Sequence, residues 1–507
     1  MRLVRESYIY YLWTVLRSLY DRSFLSHVLI NVADWCGREI TSSRIFSIIG
    51  REGCINQSWP DSHLCRWLTA LANLPILLLQ KLYTSLQKLF DGSFFAGLAF
   101  QIGRETPIAQ SWLILLLWIL PYQYWSNAYT LLGFFVLLCL FCVWGMHNRK
   151  VRLEIPAMGF FTVLFFACVC MAVPLSAYPE LSRRFLIYHA GAGLCVLITI
   201  SAVHRAADLK RLAAGGSCAM AIAGAYAVYQ RIQGVDIKSA YVDAALNPDM
   251  PGRVYSFYDN PNNFAAFLLL LIPIGVALFL GAKRSISRVL AGVAVCLGVV
   301  AMIMTYSRAS WVGLAVSAVV FIALWRPRLL PVFAVLALLC VPFLPSSILD
   351  RILSIFNFAD SSTSSRFALY EAAIRAIGES PLTGIGLGTA APQKYIAEHA
   401  LYAGNHAYVH AHNIYLEIWL ETGLIGVVSF IGAVVWNIRN AVLKVRRCCG
   451  SAIRLITIGA ASALCGIMVA GLADYPWNYP RVMSVFWFVF ALSVIGAKMC
   501  GMENTEE

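Results

Sequence analysis

Long apolar runs constrain this chain more than any other feature. "NAYTLLGFFVLLCLFCVWGM" and "NFAAFLLLLIPIGVALFLGA" are two of them, at 127–146 and 263–282. About 20 apolar residues is the length that crosses a bilayer as a helix. Lipid offers no hydrogen bonds to free backbone groups, so spanning segments must be helices or a closed barrel. The runs are continuous rather than alternating, which selects helices. Only 13% of residues are charged, about half the share of soluble globular domains. The fold class expected is therefore all-α and polytopic, with twelve membrane helices at roughly 108–124, 127–146, 157–175, 184–203, 212–231, 263–282, 287–305, 310–325, 329–345, 413–438, 454–473 and 482–499.

Lysine and arginine set the expected orientation. One alternate set of loops reads "HNRKVRLEIP", "HRAADLKR", "KRSISR", "RPR" and "RNAVLKVRRCCGSAIR". These loops are dense in Lys and Arg, and the opposite set is sparse in them. The first set is expected to be cytoplasmic, together with both ends of the chain. The formal net charge of +13 is mostly this topology signal and needs no nucleic-acid partner. None of the 15 cysteines falls in the long outer loops 232–262 and 346–411. Disulfide frameworks belong in oxidising compartments, so no such framework is expected. Cys139 and Cys142 form a CxxC inside an apolar span, which argues against a metal or redox role.

Residues 1–107 are mixed polar and aromatic, and read as a cytoplasmic or interfacial extension. They lack a short apolar core followed by a small-residue cleavage site, so no secretory signal is expected. "LPILLLQKLYTSLQKLF" places apolar residues at helical spacing with lysines between them, the pattern of an interfacial amphipathic helix. The transmembrane domain is expected over 108–499, with a tail at 500–507.

Costly residues cluster on the outer side. Arginine is disfavoured there, yet Arg183, Arg184, Arg253, Arg308, Arg366, Arg375 and Arg481 all lie at outer helix ends or in outer loops. A single arginine at such a place can simply snorkel to water. A convergent set suits a phosphate or diphosphate, because the guanidinium fork matches oxyanion geometry. The loop 346–411 is too long for a plain connector. Within it, Phe367, Tyr370, Ile374 and Ile377 form an apolar stripe, so "SSRFALYEAAIRAIGESP" should be an amphipathic helix lying on the outer surface or capping the bundle. Arg366 would sit in its first turn, where the helix dipole favours an anion. "GIGLG" at 384–388 has no Walker lysine and follows no strand, and reads as a flexible turn.

Four of the nine histidines lie between 399 and 412. His410 and His412 give only two metal ligands where a zinc site wants three or four. A proton-accepting role fits histidine better, with helix capping as the structural alternative. Glu417 and Glu421 lie one turn apart inside a span, either functional or paired with bases to hold the bundle. Asp474 could form a salt bridge with nearby Arg481.

Four segments then occur in order: "RVYSFYDNPNNF", "TYSRASWVGL", "SSRFALYEAAI…SPLTGIGLG" and "HAHNIYLEIWLETGLIG". Together they resemble the O-antigen ligase and polymerase family of bacterial integral membrane glycosyltransferases, over roughly 250–490. The resemblance implies a fold similar to the C-type membrane glycosyltransferases. It also implies a transferase of the cytoplasmic (inner) membrane, with its active site facing the periplasm. The donor would be a glycan on undecaprenyl diphosphate, and the acceptor another glycan, lipid A-core or a protein hydroxyl. No metal or other cofactor is implied. Carried over by motif, Arg308, Arg366 and His412 would be catalytic, with Asn413 following the histidine and Gly423 further on. His410, Arg253, Arg184, Asp474 and Arg481 join Asn413 as candidate substrate contacts. Ligase, surface-polysaccharide polymerase and protein O-oligosaccharyltransferase all share this chemistry. The rival class is a secondary transporter, which should show internal repeats and midplane polar sites. The sequence shows neither. A structural assembly protein is the third class.

Overall fold

The computed structural model describes residues 53–90, 92–235, 252–356, 361–404, 407–448 and 450–502, with scattered positions between 11 and 35. His406 lies outside the described residues. Among them the regular elements are helical and no strand occurs. The principal helices are α1 (His63–Ser85), α2 (Phe94–Arg104), α3 (Thr106–Trp118), α4 (Asn127–His147), α5 (Phe160–Met171), α6 (Pro179–Ala202), α7 (Ala206–Gln233), α8 (Pro261–Gly281) and α9 (Ser285–Met304). They continue with α10 (Arg308–Trp325), α11 (Leu330–Cys340), α12 (Ser346–Leu353), α13 (Ser361–Glu379), α14 (Ala390–Glu398), α15 (Ile414–Val445), α16 (Ser451–Ala470) and α17 (Pro480–Met502).

Among the described residues, nine helices are long and apolar enough to cross a membrane: α4, α6 to α10 and α15 to α17. The protein is an all-α polytopic membrane protein. The other three expected spans coincide with shorter apolar helices at Thr106–Trp118, Phe160–Met171 and Pro327–Phe343. Local sequence explains why these are short. Pro121 follows the end of α3, Gly159 at φ 77° precedes α5, and Pro342 follows α11. Proline lacks the N–H and blocks the preceding turn, and glycine takes the left-handed conformation that interrupts a helix.

The hydrophobic windows of α8, α16 and α17 are 72%, 72% and 89% buried, against 22% for α9 and α10. The first three therefore form the centre of the bundle, and α9 and α10 present most of their surface outward. Gly281 meets Ala452, Lys444 approaches Gly501, and Glu154 pairs with His204 and Lys498. These contacts gather the basic loops at one end, called here the basic end. Cys448 and Cys500 are disulfide-bonded there, a pair at the basic end and not a framework of the outer loops.

The stripe expected on α13 is also corrected. Phe367 and Ile374 are exposed, whereas Leu369, Ala372, Ala373, Ala376 and Ile377 are buried. The alanines let α13 approach the top of α15 closely. The two helices share a small apolar cluster with Ile385, Ile396, Tyr408, Ala411 and Leu420.

Candidate functional site

His412 sits where the last residues of the large loop meet α15. Asn413 caps that helix: its side-chain oxygen accepts from the N–H groups of Tyr415 and Leu416 at 2.9 and 3.1 Å. Such a cap satisfies backbone donors that the first turn leaves free. The Asn413 amide nitrogen donates to the Leu472 carbonyl at 3.1 Å, so this side chain ties α15 to the segment after α16. His412 itself has φ +47°, a left-handed conformation that costs a residue other than glycine about 1 kcal/mol or more. Something must hold it there.

Three contacts do so. The His412 N–H donates to His410 Nδ1 at 3.1 Å. The Tyr370 hydroxyl reaches the Leu472 and His412 carbonyls at 3.0 and 3.4 Å. His412 Nδ1 lies 3.3 Å from Asp474 Oδ1, with the two side chains 29% and 14% exposed. Burial pushes the Asp474 carboxyl up. The hydrogen bond and charge of His412, with Arg366 and His410, outweigh burial and bring it down to about 2. Asp474 is then an anion that orients the imidazole, and Nε2 keeps its lone pair when Nδ1 carries the proton. His410 is buried, with its ring 4.0 Å from that of His412. Burial, then the nearby charge of His412, lower it from 6.5 to about 3, so it is neutral at physiological pH.

Glu417 and Glu421 lie beneath this corner, both buried on one face of α15. The sequence suggested bases as their partners. Instead, Glu417 Oε2 accepts from the Ala411 N–H at 2.7 Å, and Glu421 Oε1 accepts from the Tyr475 hydroxyl at 2.7 Å. Ala411 lies between the two histidines, and Tyr475 follows Asp474. The acid pair thus grips both strands of the His412–Asp474 pair from below. The salt bridge expected between Asp474 and Arg481 is replaced by this arrangement.

The arginines divide into two groups. Arg253, Arg308 and Arg351 are buried around the turn at 305–307. Arg253 Nε donates to the Thr305 carbonyl at 2.7 Å, and Arg351 Nε to the Tyr306 carbonyl at 3.2 Å. Arg308 opens α10 and donates to the Ser354 carbonyl at 2.9 Å. Burial, then the charge of Arg351, bring the Arg253 guanidinium down to about 9; Asp474 opposes this, and Arg366 and Arg308 add to it. Four guanidiniums and Asp474 therefore share one electrostatic neighbourhood. Arg366 lies one turn before Tyr370 on α13, so it shares the face that meets His412.

Arg481 and Arg184 stand apart. Arg481 is fully buried between the rings of Trp125 and Tyr258, at 4.4 and 4.6 Å. Its donors reach the carbonyls of Phe257, Leu117 and Leu120 at 3.0, 2.9 and 2.6 Å. Arg184 is exposed on the first turns of α6, and Arg375 pairs with Glu371 on the surface.

"GIGLG" is a packed crossing rather than a flexible turn. Gly423 breaks α15 with φ 72°. The break removes the usual bond from the Leu424 N–H to the Leu420 carbonyl. Leu424 N–H donates instead to the Pro381 carbonyl at 2.9 Å, and the Leu420 carbonyl accepts from Ile385 N–H at 2.6 Å. The loop and the helix exchange backbone bonds, and this fixes the start of α15 against the large loop.

Sequence reasoning passed over Arg351, Tyr370 and Tyr475. The signal for Arg351 was present, since "SSILDRIL" puts an arginine among apolar residues just beyond a span.

Residues 293–431 match the O-antigen ligase family. The resemblance carried by the motifs is borne out over this segment, which runs from within α9 to within α15. It supports glycan transfer of the ligase or polymerase type in general. The matched segment contains Arg308, Arg351, Arg366, His410, His412, Asn413, Glu417 and Glu421. Arg253 and Asp474 lie outside it in sequence and complete the same corner in space. No curated protein matches the chain.

Proposed function

We propose that this protein transfers a glycan from undecaprenyl diphosphate to an acceptor hydroxyl, on the periplasmic face of the bacterial inner membrane. One observation carries the reading. A part-exposed His412 is oriented by Asp474, whose carboxylate also feels Arg366 and Arg253, and Arg308 and Arg351 lie beside Arg253 at the turn 305–307.

In this mechanism the acceptor oxygen attacks the anomeric carbon while the bond from that carbon to the diphosphate oxygen breaks. The electron pair leaves with the diphosphate, and inversion results from a single displacement. His412 Nε2 takes the hydroxyl proton, and Asp474 stabilises the imidazolium that forms. Negative charge grows on the leaving oxygen, and Arg308 and Arg366 offset it. Arg253 and Arg351 extend the same positive field to the second phosphate. Tyr370 and Asn413 act by position, fixing the His412 carbonyl and the helix start. The density of Lys and Arg at the basic end favours the cytoplasm for that end and supports a histidine end that faces outside.

The test incubates membranes containing the protein with an undecaprenyl diphosphate-linked glycan and an acceptor. A new covalent glycan product that disappears with His412→Ala supports the proposal. Movement of unaltered substrate across the membrane would make the protein a transporter and sink it.

A further inference from the structure

Helices α1 and α2 account for part of the N-terminal extension, which the transfer chemistry does not use. α1 docks through Cys65, Asn73, Ile76 and Gln80, which are buried along one side. Asn73 is buried, donates to the Leu153 carbonyl at 3.0 Å and accepts from the Leu153 N–H at 2.7 Å. Buried Gln80 donates to the Gly145 carbonyl at 2.7 Å. Trp59, just before α1, packs on Phe160 at 5.5 Å. At the other end Tyr83 meets Phe100 of α2 at 5.2 Å, and Phe100 stacks on His147 at 4.6 Å.

Apart from Phe100 of α2, these partners lie between 145 and 160, at the basic end of α4 and α5. With 23 residues, α1 is about 34 Å long. A helix of that length running along the bilayer normal would reach the far end of α4. The contacts of Trp59, Asn73, Gln80 and Tyr83 put both ends of α1 at the basic end, so α1 crosses that end sideways.

The opposite side of α1 is apolar. Leu64, Trp67, Leu71, Leu74, Leu78 and Leu82 recur at i, i+3, i+7, i+10, i+14 and i+18. All six are exposed, Leu78 by 57%. α2 continues the surface with Phe94, Phe95, Leu98 and Ile102, and Phe95 is 80% exposed. The stripe turned into the protein carries Asn73 and Gln80 beside Cys65 and Ile76, and a leucine stripe is turned away from it. That inverts the usual arrangement of a helix on a soluble core. α2 lies on α4 at Leu140 and Trp144, and farther along α4 Leu132 and Phe135 are also exposed. α4 is long and apolar enough to span the membrane, so its outward face meets lipid. Arg66, Lys81 and Lys88 are exposed around the stripe, which suits anionic headgroups.

We infer that α1 and α2 form a collar embedded in the lipid leaflet at the basic end, with the leucine stripe among the upper acyl chains and the lysines and arginine at the headgroups. The occupant of this surface is lipid, and the collar clamps the loop between α4 and α5 from the membrane side. This inference is independent of the transfer reaction.

The test places a fluorescent amino acid at Leu71 or Leu78 in the full chain, reconstituted in phosphatidylethanolamine and phosphatidylglycerol vesicles. Quenching is compared between lipids brominated near the headgroup and lipids brominated near the chain end. Thr69, on the docked side, and Phe135, midway along α4, provide the references. The expected result at 71 and 78 is a loss of fluorescence greater with shallow bromine than with deep bromine, the reverse of the order at Phe135. Quenching no greater than at Thr69 would mean that protein covers the stripe, and the inference fails. Deep quenching equal to that at Phe135 would make α1 a span, and it fails equally.

Discussion

Asp474 and Arg481 are close in sequence, yet they belong to two corners built in opposite ways. At the first, His412 is held in a left-handed conformation, partly open, with its ring on an ionised carboxylate. At the second, Arg481 is sealed between two aromatic rings with its Nη donors on three backbone carbonyls. Both carry costly polar groups at a helix end. The difference lies in what the polar atoms face. Arg481 joins α3, the 252–260 segment and α17 into one unit, so its charge serves the fold. His412 leaves one ring nitrogen for a visitor. An arginine at a membrane helix end is therefore evidence for a ligand only after its donors have been traced.

The sharpest test of this contrast is a matched pair of variants. His412→Ala should lower glycan transfer by about 100-fold or more, with a much smaller loss of stability in detergent than Arg481→Ala causes. Near-normal transfer would remove His412 from the mechanism. Arg481→Ala should do the opposite, costing about 3 kcal/mol or more of stability through lost charged hydrogen bonds and a cavity. Protein that is stable but inactive would move Arg481 to the site. A smaller effect is expected from Glu417. Glu417→Ala leaves the Ala411 N–H without its acceptor and should slow transfer by about tenfold, since small displacements of a catalytic group are costly. Glu417→Gln retains an acceptor oxygen and should restore most of the rate. Equal loss in both variants would mean that the carboxylate acts through its charge.

The smallest effect is a pH dependence. The folded value of His410 is about 3 against an ordinary 6.5. Between these values the unfolded chain binds more protons, so stability is full above 6.5 and falls as pH drops toward 3. By pH 5.5 the loss should be about 1 kcal/mol. His410→Gln should flatten that slope in thermal unfolding, and an unchanged slope would assign it elsewhere.

The spans were legible because apolar run length is a one-dimensional property. Every run expected to span coincides with a helix, and those cut short are cut by proline or glycine. The face of α13 was not legible. Phe367 and Ile374 outrank alanine in apolar character, but close packing on α15 selects Ala372, Ala373 and Ala376. The motifs pointed to His412, Arg308 and Arg366 as residues, and no motif could join His412 to Asp474, which pair only when the start of α15 and the end of α16 are brought together. Glu417 and Glu421 stood out as intramembrane acids, but their partners are a backbone N–H and a hydroxyl, and neither has a charge pattern to read. Lysine spacing suggested an interfacial helix in the N-terminal extension. Which side it turns inward depends on Asn73 and Gln80 meeting carbonyls far along the chain.

The exchange of backbone bonds at Gly423 has a dynamic consequence. The Leu424 amide is held by the Pro381 carbonyl, and the Ile385 amide by the Leu420 carbonyl. Neither amide can be released by fraying within its own segment. Opening one requires the loop to lift from the helix, which exposes the other. Their protons should therefore exchange with solvent as a single unit, slowly and at a common free energy, although one lies in a loop and the other inside a helix.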